Sequence, residues 1–152
     1  MKKNILIFII GAIIFSGLVY YNYLLAQKKI KETRPAPLSI SLQSYPEKVI
    51  FGQSGSFIWN IDSSPDLSTT RTTIYYGYSA TPSALTTLDS PEAVNYTFSA
   101  SDYFVGTFKL PDSFEESIFF LKPGKIFFRA YAKVGNNHLW TDEKSLEVIS
   151  NK

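Results

Sequence analysis

The chain has no cysteine among its 152 residues, and only one methionine, one histidine and two tryptophans. Without cysteine there is no disulfide framework and no thiolate metal site, and the cellular compartment stays open. No glycine-rich phosphate loop and no zinc-ligand spacing occur either. Internal repeats and low-complexity tracts are also missing. Cofactor chemistry therefore has no motif to rest on, and no cofactor is expected.

Aromatic residues are plentiful: twelve Phe and ten Tyr, in a chain that is 45% hydrophobic and 16% aromatic. That is enough apolar surface for a folded core. Aromatic and β-branched enrichment favours strands over helices. The formal charge of +2 is unevenly placed. Six of the fifteen basic residues (Lys2, Lys3, Lys28, Lys29, Lys31, Arg34) lie in the first 34 positions, against Glu32 alone. The rest keeps nine basic and twelve acidic residues, a net −3. The basic excess thus flanks a hydrophobic segment, where lipid headgroups are the expected partner. A mildly acidic remainder argues against nucleic acid.

After a tail over 1–4, residues 5–26 (ILIFIIGAIIFSGLVYYNYLLA) carry no charge. Their number is close to the roughly 20 that a bilayer-crossing helix needs, and Tyr20, Tyr21 and Tyr23 sit where an aromatic belt belongs. A transmembrane anchor is expected. A cleaved signal peptide is the alternative, and Leu24 is a weak residue for its cleavage site. The flanking charges favour a cytoplasmic domain, because four Lys/Arg follow the segment and two precede it. The Met-Lys-Lys-apolar start resembles an export signal, and export is the preferred reading. The domain is then extracytoplasmic at the cell surface, or secreted if cleavage occurs. Residues 27–37 (QKKIKETRPAP) form a basic, proline-containing stalk; at ~3.1 Å per residue, about ten extended residues reach on the order of 30 Å.

From 38 to 150 the pattern is period-2. Predicted strands are Leu38–Gln43, a segment carrying Phe57, Trp59 and Ile61, and Thr72–Tyr78. Others lie around Val94, Tyr96 and Phe98, around Phe104 to Leu110, and over Ser117–Leu121. The clearest runs from Ile126 to Val134, followed by Leu139-Trp140 and Ser145–Ile149. In it Ile126, Phe128, Ala130, Ala132 and Val134 form an apolar row that should point inward. Phe127, Arg129, Tyr131 and Lys133 form the outward row. Lys122-Pro123-Gly124 and Gly135-Asn136-Asn137 supply turns at its two ends. About seven or eight short strands at this spacing predict an all-β antiparallel sandwich behind the N-terminal helix.

Trp59 in the second strand, Tyr75-Tyr76-Gly77, and Leu121-Lys122-Pro123-Gly124 leading to Phe127-Phe128-Arg129-Ala130-Tyr131-Ala132 together resemble a fibronectin type III or immunoglobulin-like module. The resemblance covers roughly Leu38 to Ile149. It implies a sandwich fold and leaves function open. One departure is that the family's corner tyrosine would fall at Ile126 or Phe127, and neither has a hydroxyl.

Chemistry finds little support. His138, beside a turn, is expected in solvent, because no serine is placed to work with it and with Asp142 or Glu143. Glu115-Glu116 is expected in a solvated loop. Asp62 and Asp66 lack the ligand alternation of a calcium loop, so no metal is expected. Asn95-Tyr96-Thr97 is a glycosylation sequon, relevant only where that machinery exists. The binding candidates are the outward residues Phe127, Arg129, Tyr131 and Lys133, extended by Trp140 and Tyr75. The bland reading is ordinary cross-strand pairing, or cover by a neighbouring loop. Three roles follow: a membrane-tethered, non-catalytic interaction or structural module; a carbohydrate- or cell-wall-binding module using the aromatic row; or an accessory subunit of an envelope enzyme. The partners are a lipid bilayer, another envelope protein or a glycan.

Overall fold

The computed structural model describes residues 15–28, 37–81 and 83–150. The chain divides into two compact units, Met1–Pro35 and Ala36–Lys152. In the first, residues 15–28 form helix α1. Residues 1–14 and 29–36, which include the tail, the first half of the expected anchor and most of the stalk, lie outside the described residues. Among the described residues no helix is long and apolar enough to cross a membrane.

The second unit is built from strands. The chain order is β1 (Ser39–Ser44), β2 (Lys48–Ile50), β3 (Ser54–Asp62), β4 (Ser68–Thr69), β5 (Arg71–Gly77), β6 (Phe98–Ser99), β7 (Phe108–Lys109), β8 (Asp112–Phe119), β9 (Gly124–Val134), β10 (Asn137–Trp140) and β11 (Lys144–Ile149). One sheet has the order β1-β3-β8, and a second has β2-β11-β9-β5-β6 with β10 also on β9. The pair β4-β7 is separate. The first strands change sheets: β1 runs antiparallel to β3, whereas β2 runs parallel to β11. That exchange, together with the order of the remaining strands, makes this an immunoglobulin-like β-sandwich. Gly55 sits under the crossing, where a Cβ would stand 2.9 Å from the Pro46 ring and 3.0 Å from Val49.

The inward row read from the sequence is the core. Ile126, Phe128, Ala130, Ala132 and Val134 are buried, and they face Phe57, Trp59, Ile61, Phe114 and Ile118 from the first sheet. Alternation in β3 and β8 produces that face, since every second side chain turns inward. Trp59 is fully buried, its indole N–H bonded to Thr72 Oγ1 at 2.7 Å. Its ring stacks on Phe114 at 5.8 Å. The β9–β10 connection pairs Val134 with Asn137 around Gly135, whose φ of 58° suits the first position of a two-residue hairpin.

Several expectations need correction. The strand expected around Val94, Tyr96 and Phe98 is a single 3₁₀ turn at Pro91–Ala93 followed by two-residue β6. Around Phe104–Leu110 only Phe108–Lys109 is a strand. Phe108 packs edge-on against Tyr103 and Phe114 at the margin of the core, and Phe104 lies against Arg71, so the aromatics serve packing rather than a ladder. β8 begins at Asp112, well before Ser117, so Glu115-Glu116 lies inside a strand instead of a loop. The corner before β9 has a tyrosine after all, from elsewhere in the chain. Tyr78 donates to the Lys122 carbonyl at 3.3 Å, with the Lys122 ammonium 4.5 Å from its ring centre.

Candidate functional site

The outward row of β9 forms the centre of the second sheet's other face. Register sets Tyr75 beside Arg129, and Tyr131 between Thr73 of β5 and Trp140 of β10. Tyr131 therefore meets two rings, Trp140 at 4.5 Å and Tyr75 at 5.4 Å, and those two stand 5.5 Å apart.

This face is covered, the alternative that the sequence set beside an open binding row. Arg129 is 3% exposed, Tyr131 0% and Tyr75 8%. Phe127, Lys133 and Trp140 are half-buried. The cover is the long connection between β5 and β6, and Arg129 is what holds it. Its Nη2 donates to the carbonyls of Thr81 (2.8 Å) and Ser83 (3.0 Å), and its Nη1 to that of Thr141 (2.9 Å). Nε donates to the Tyr96 hydroxyl at 3.1 Å, and that hydroxyl donates to Glu143 Oε1 at 2.6 Å. Glu143 also accepts the Thr81 N–H at 2.7 Å. A planar guanidinium with five donors suits a site ringed by carbonyls, where an ammonium lacks the reach. Burial, followed by the bond to Glu143, pushes the Tyr96 phenol well above its ordinary pKa.

Two further bonds pin the same connection. Trp140 donates its indole N–H to the Asp89 carbonyl at 2.8 Å, and the His138 amide donates to the Thr87 carbonyl at 3.0 Å. The turn itself is closed by Asp89 Oδ2, which accepts the Thr86 amide and hydroxyl and is held below the usual carboxylate range by them. His138 is half-buried rather than free in solvent, and a 2.7 Å hydrogen bond joins its Nδ1 to the Tyr131 hydroxyl. Burial raises the Tyr131 pKa, so that hydroxyl stays protonated across the physiological range.

What remains open is at the margin. The half-buried Trp140 lies between two shallow grooves of about 230 and 340 Å³. Leu38, Ile40 and His138 border the first; Leu42, Asp142 and Lys144 border the second. Phe127 carries Lys125 over its ring at 5.2 Å. Among the described residues no three His, Asp or Glu side chains converge as a metal site.

Sequence reasoning missed the polar half of this arrangement: Tyr96, Glu143 and Asp89. None of them has a signal in its neighbours, because each acts from a loop or strand end on residues more than thirty positions away. It also missed Glu116. There a signal existed: Glu116 alternates in phase with Phe114, Ile118 and Phe120, all buried, and is itself 4% exposed.

No family model matches the chain, and no curated protein does. Among solved structures it is similar to the PKD domain of an M14-like peptidase from Thermoplasmatales archaeon SCGC AB-540-F20. The identity is 17% and the TM-score 0.43, over 78% of this chain and 98% of that one. A likeness that distant says nothing of activity or partner.

Proposed function

We propose that the chain is a membrane-tethered, extracytoplasmic immunoglobulin-like module that holds or contacts another envelope component and performs no chemistry of its own. The observation that carries this reading is the sealed face. The aromatic and cationic groups best suited to a reacting or binding pocket are turned to fixing a loop, with the Arg129 donors directed at the protein's own carbonyls and at Tyr96. A face closed by the protein's own loop suits a spacer or a contact module. The tether rests on the uncharged stretch 5–26 between basic flanks. Helix α1 adds support, since Phe15, Leu18, Val19, Leu24 and Leu25 are all exposed and such apolar surface calls for a non-aqueous partner. Protease treatment of intact cells tests the placement: the domain is expected to be digested without lysis. Protection that persists after outer-envelope permeabilisation would put the domain inside and overturn the reading.

A second reading, glycan binding, is favoured by the position of Trp140 between two grooves, since an accessible indole face is what a sugar ring stacks on. Binding on a glycan array, lost in Trp140→Ala, is its expected signature. Tyr131→Ala is an unsuitable control, because Tyr131 is core and its truncation damages the fold.

A further inference from the structure

The first sheet ends on β8. β8 pairs with β3 along its whole length, from Ile61↔Asp112 to Ser54↔Phe119, and no other strand among the described residues pairs with it. Eight residues of edge backbone thus stand without a partner strand, and edges of that kind accept an added one. Glu116, at the middle of this edge, turns inward and is 4% exposed. Its Oε1 accepts two amides, Ser101 N–H at 2.6 Å and Asp102 N–H at 2.9 Å. Its Oε2 is buried and has no partner among the described residues. Leaving a buried charged acceptor unpaired is costly, so such an atom calls for a donor. The residue lines a cleft of about 170 Å³ shared with Tyr76, Ser99, Ser101, Ser117 and Phe119.

We propose that this edge takes an extended segment of a partner polypeptide as an added strand, with a lysine or arginine of that segment donating to Glu116 Oε2. The inference rests on the reading of the chain as an interaction module, and not on the side of the membrane it occupies. Charge selects the occupant. Asp112, Glu115 and Glu116 lie on β8 with no basic residue among its eight, and burial, with the Asp102 carboxylate adding to it, disfavours ionisation of Glu116 without a cationic partner. A basic strand is complementary to that edge. A second copy of the chain is not, because antiparallel pairing centred on Glu115 or Glu116 sets a carboxylate against its own duplicate. A bare divalent cation fits poorly as well. It needs several oxygen ligands, and the other oxygen of Glu116 is already committed to two amides. A long cationic side chain instead has the Tyr76 ring for its stem and the carboxylate for its head.

The test uses the full chain in detergent micelles. The probe is a capped alternating Thr-Lys peptide of about the length of β8, with a Thr-Gln peptide as control, read by calorimetry and by hydrogen exchange at β8 amides. The Thr-Lys peptide is expected to bind and slow exchange across Asp112–Phe119. The Thr-Gln peptide, and the Thr-Lys peptide with Glu116→Gln, are expected to bind on the order of tenfold to a hundredfold more weakly, the effect of one charge-assisted bond. Glutamine keeps the acceptor for Ser101 and Asp102, so the fold is preserved. Ser117→Arg, at an exposed position, supplies a second variant and should repel the basic strand. Unchanged β8 exchange, or equal affinity in Glu116→Gln, overturns the proposal. Peptide binding by a chain found inside the cell would sustain it and overturn only the extracytoplasmic placement.

Discussion

Trp59 is the residue on which the two sheets meet. Its indole is fully buried, stacked on Phe114, edge-on to Tyr103 at 6.0 Å, and bonded to Thr72. Trp59→Ala removes that contact surface and leaves the Thr72 hydroxyl without its donor, a loss on the order of 3–5 kcal/mol. Against the roughly 5–15 kcal/mol that holds a domain together, the substitution should unfold a large share of molecules or lower the urea midpoint sharply. An unchanged midpoint would mean the indole is not in the core. Glu116 is the other residue with a measurable consequence. Burial, its largest influence, raises its pKa, with Asp102 adding to the effect against the two amide bonds. The folded state therefore binds the proton more tightly than the unfolded chain. The stabilisation is complete at pH below the unfolded carboxylate's pKa and is lost as pH rises through the folded value. Glu116→Gln removes this dependence, so thermal melts should show the variant gaining on the parent from acid towards neutral pH. A stability difference that stays flat across that range would refute the assignment.

The connection between β5 and β6 belongs to the scale of elements. Its described residues have one 3₁₀ turn and no other helix or strand, and it is held by groups on β9, β10 and the segment before β11. Arg129→Lys replaces a planar fork with a point donor that cannot span Thr81, Ser83, Thr141 and Tyr96 together. The expected cost is about 1–3 kcal/mol, from the buried Thr141 carbonyl and the partly buried Thr81 carbonyl left unpaired. Hydrogen exchange should quicken across residues 83–97 while the amides of β3 and β8 keep their protection. Equal loosening of both regions would show that Arg129 supports the whole sandwich instead of this one element. Elements also differ in how far they can be read in advance. β3 and β9 are long, and each reveals its inward face by alternation. β6 and β7 are two residues each, too short for any period to register, and their pairing depends on where β5 and β4 already lie.

At the scale of the molecule, the chain joins an N-terminal unit whose described helix exposes apolar side chains to a sandwich built around its own buried core. If residues 5–26 span a bilayer, the protein should stay with membranes through alkaline carbonate extraction and leave them only in detergent. Recovery in the soluble or secreted fraction, beginning after Ala26, would instead mean cleavage. Function at this scale is a matter of surfaces: one face closed by its own loop, one margin with Trp140 between grooves, and one acidic edge without a partner strand among the described residues.

Local sequence by itself determined the class of fold, the inward row of β9, the turns at Gly124 and Gly135, and the burial of Trp59. The reason is that alternation and turn chemistry act over a few neighbouring residues. Only the tertiary structure decided what the outward row is for. Arg129 stands in the outward row by alternation alone, and the carbonyls that its guanidinium bonds come from residues 46 and 48 positions away. It also decided that Glu116 ends beneath an edge with no partner strand among the described residues, one oxygen bonded and the other without a donor among them. Side-chain phase follows from the strand, whereas the identity of what covers a side chain follows from long-range chain reversal, which no local pattern encodes.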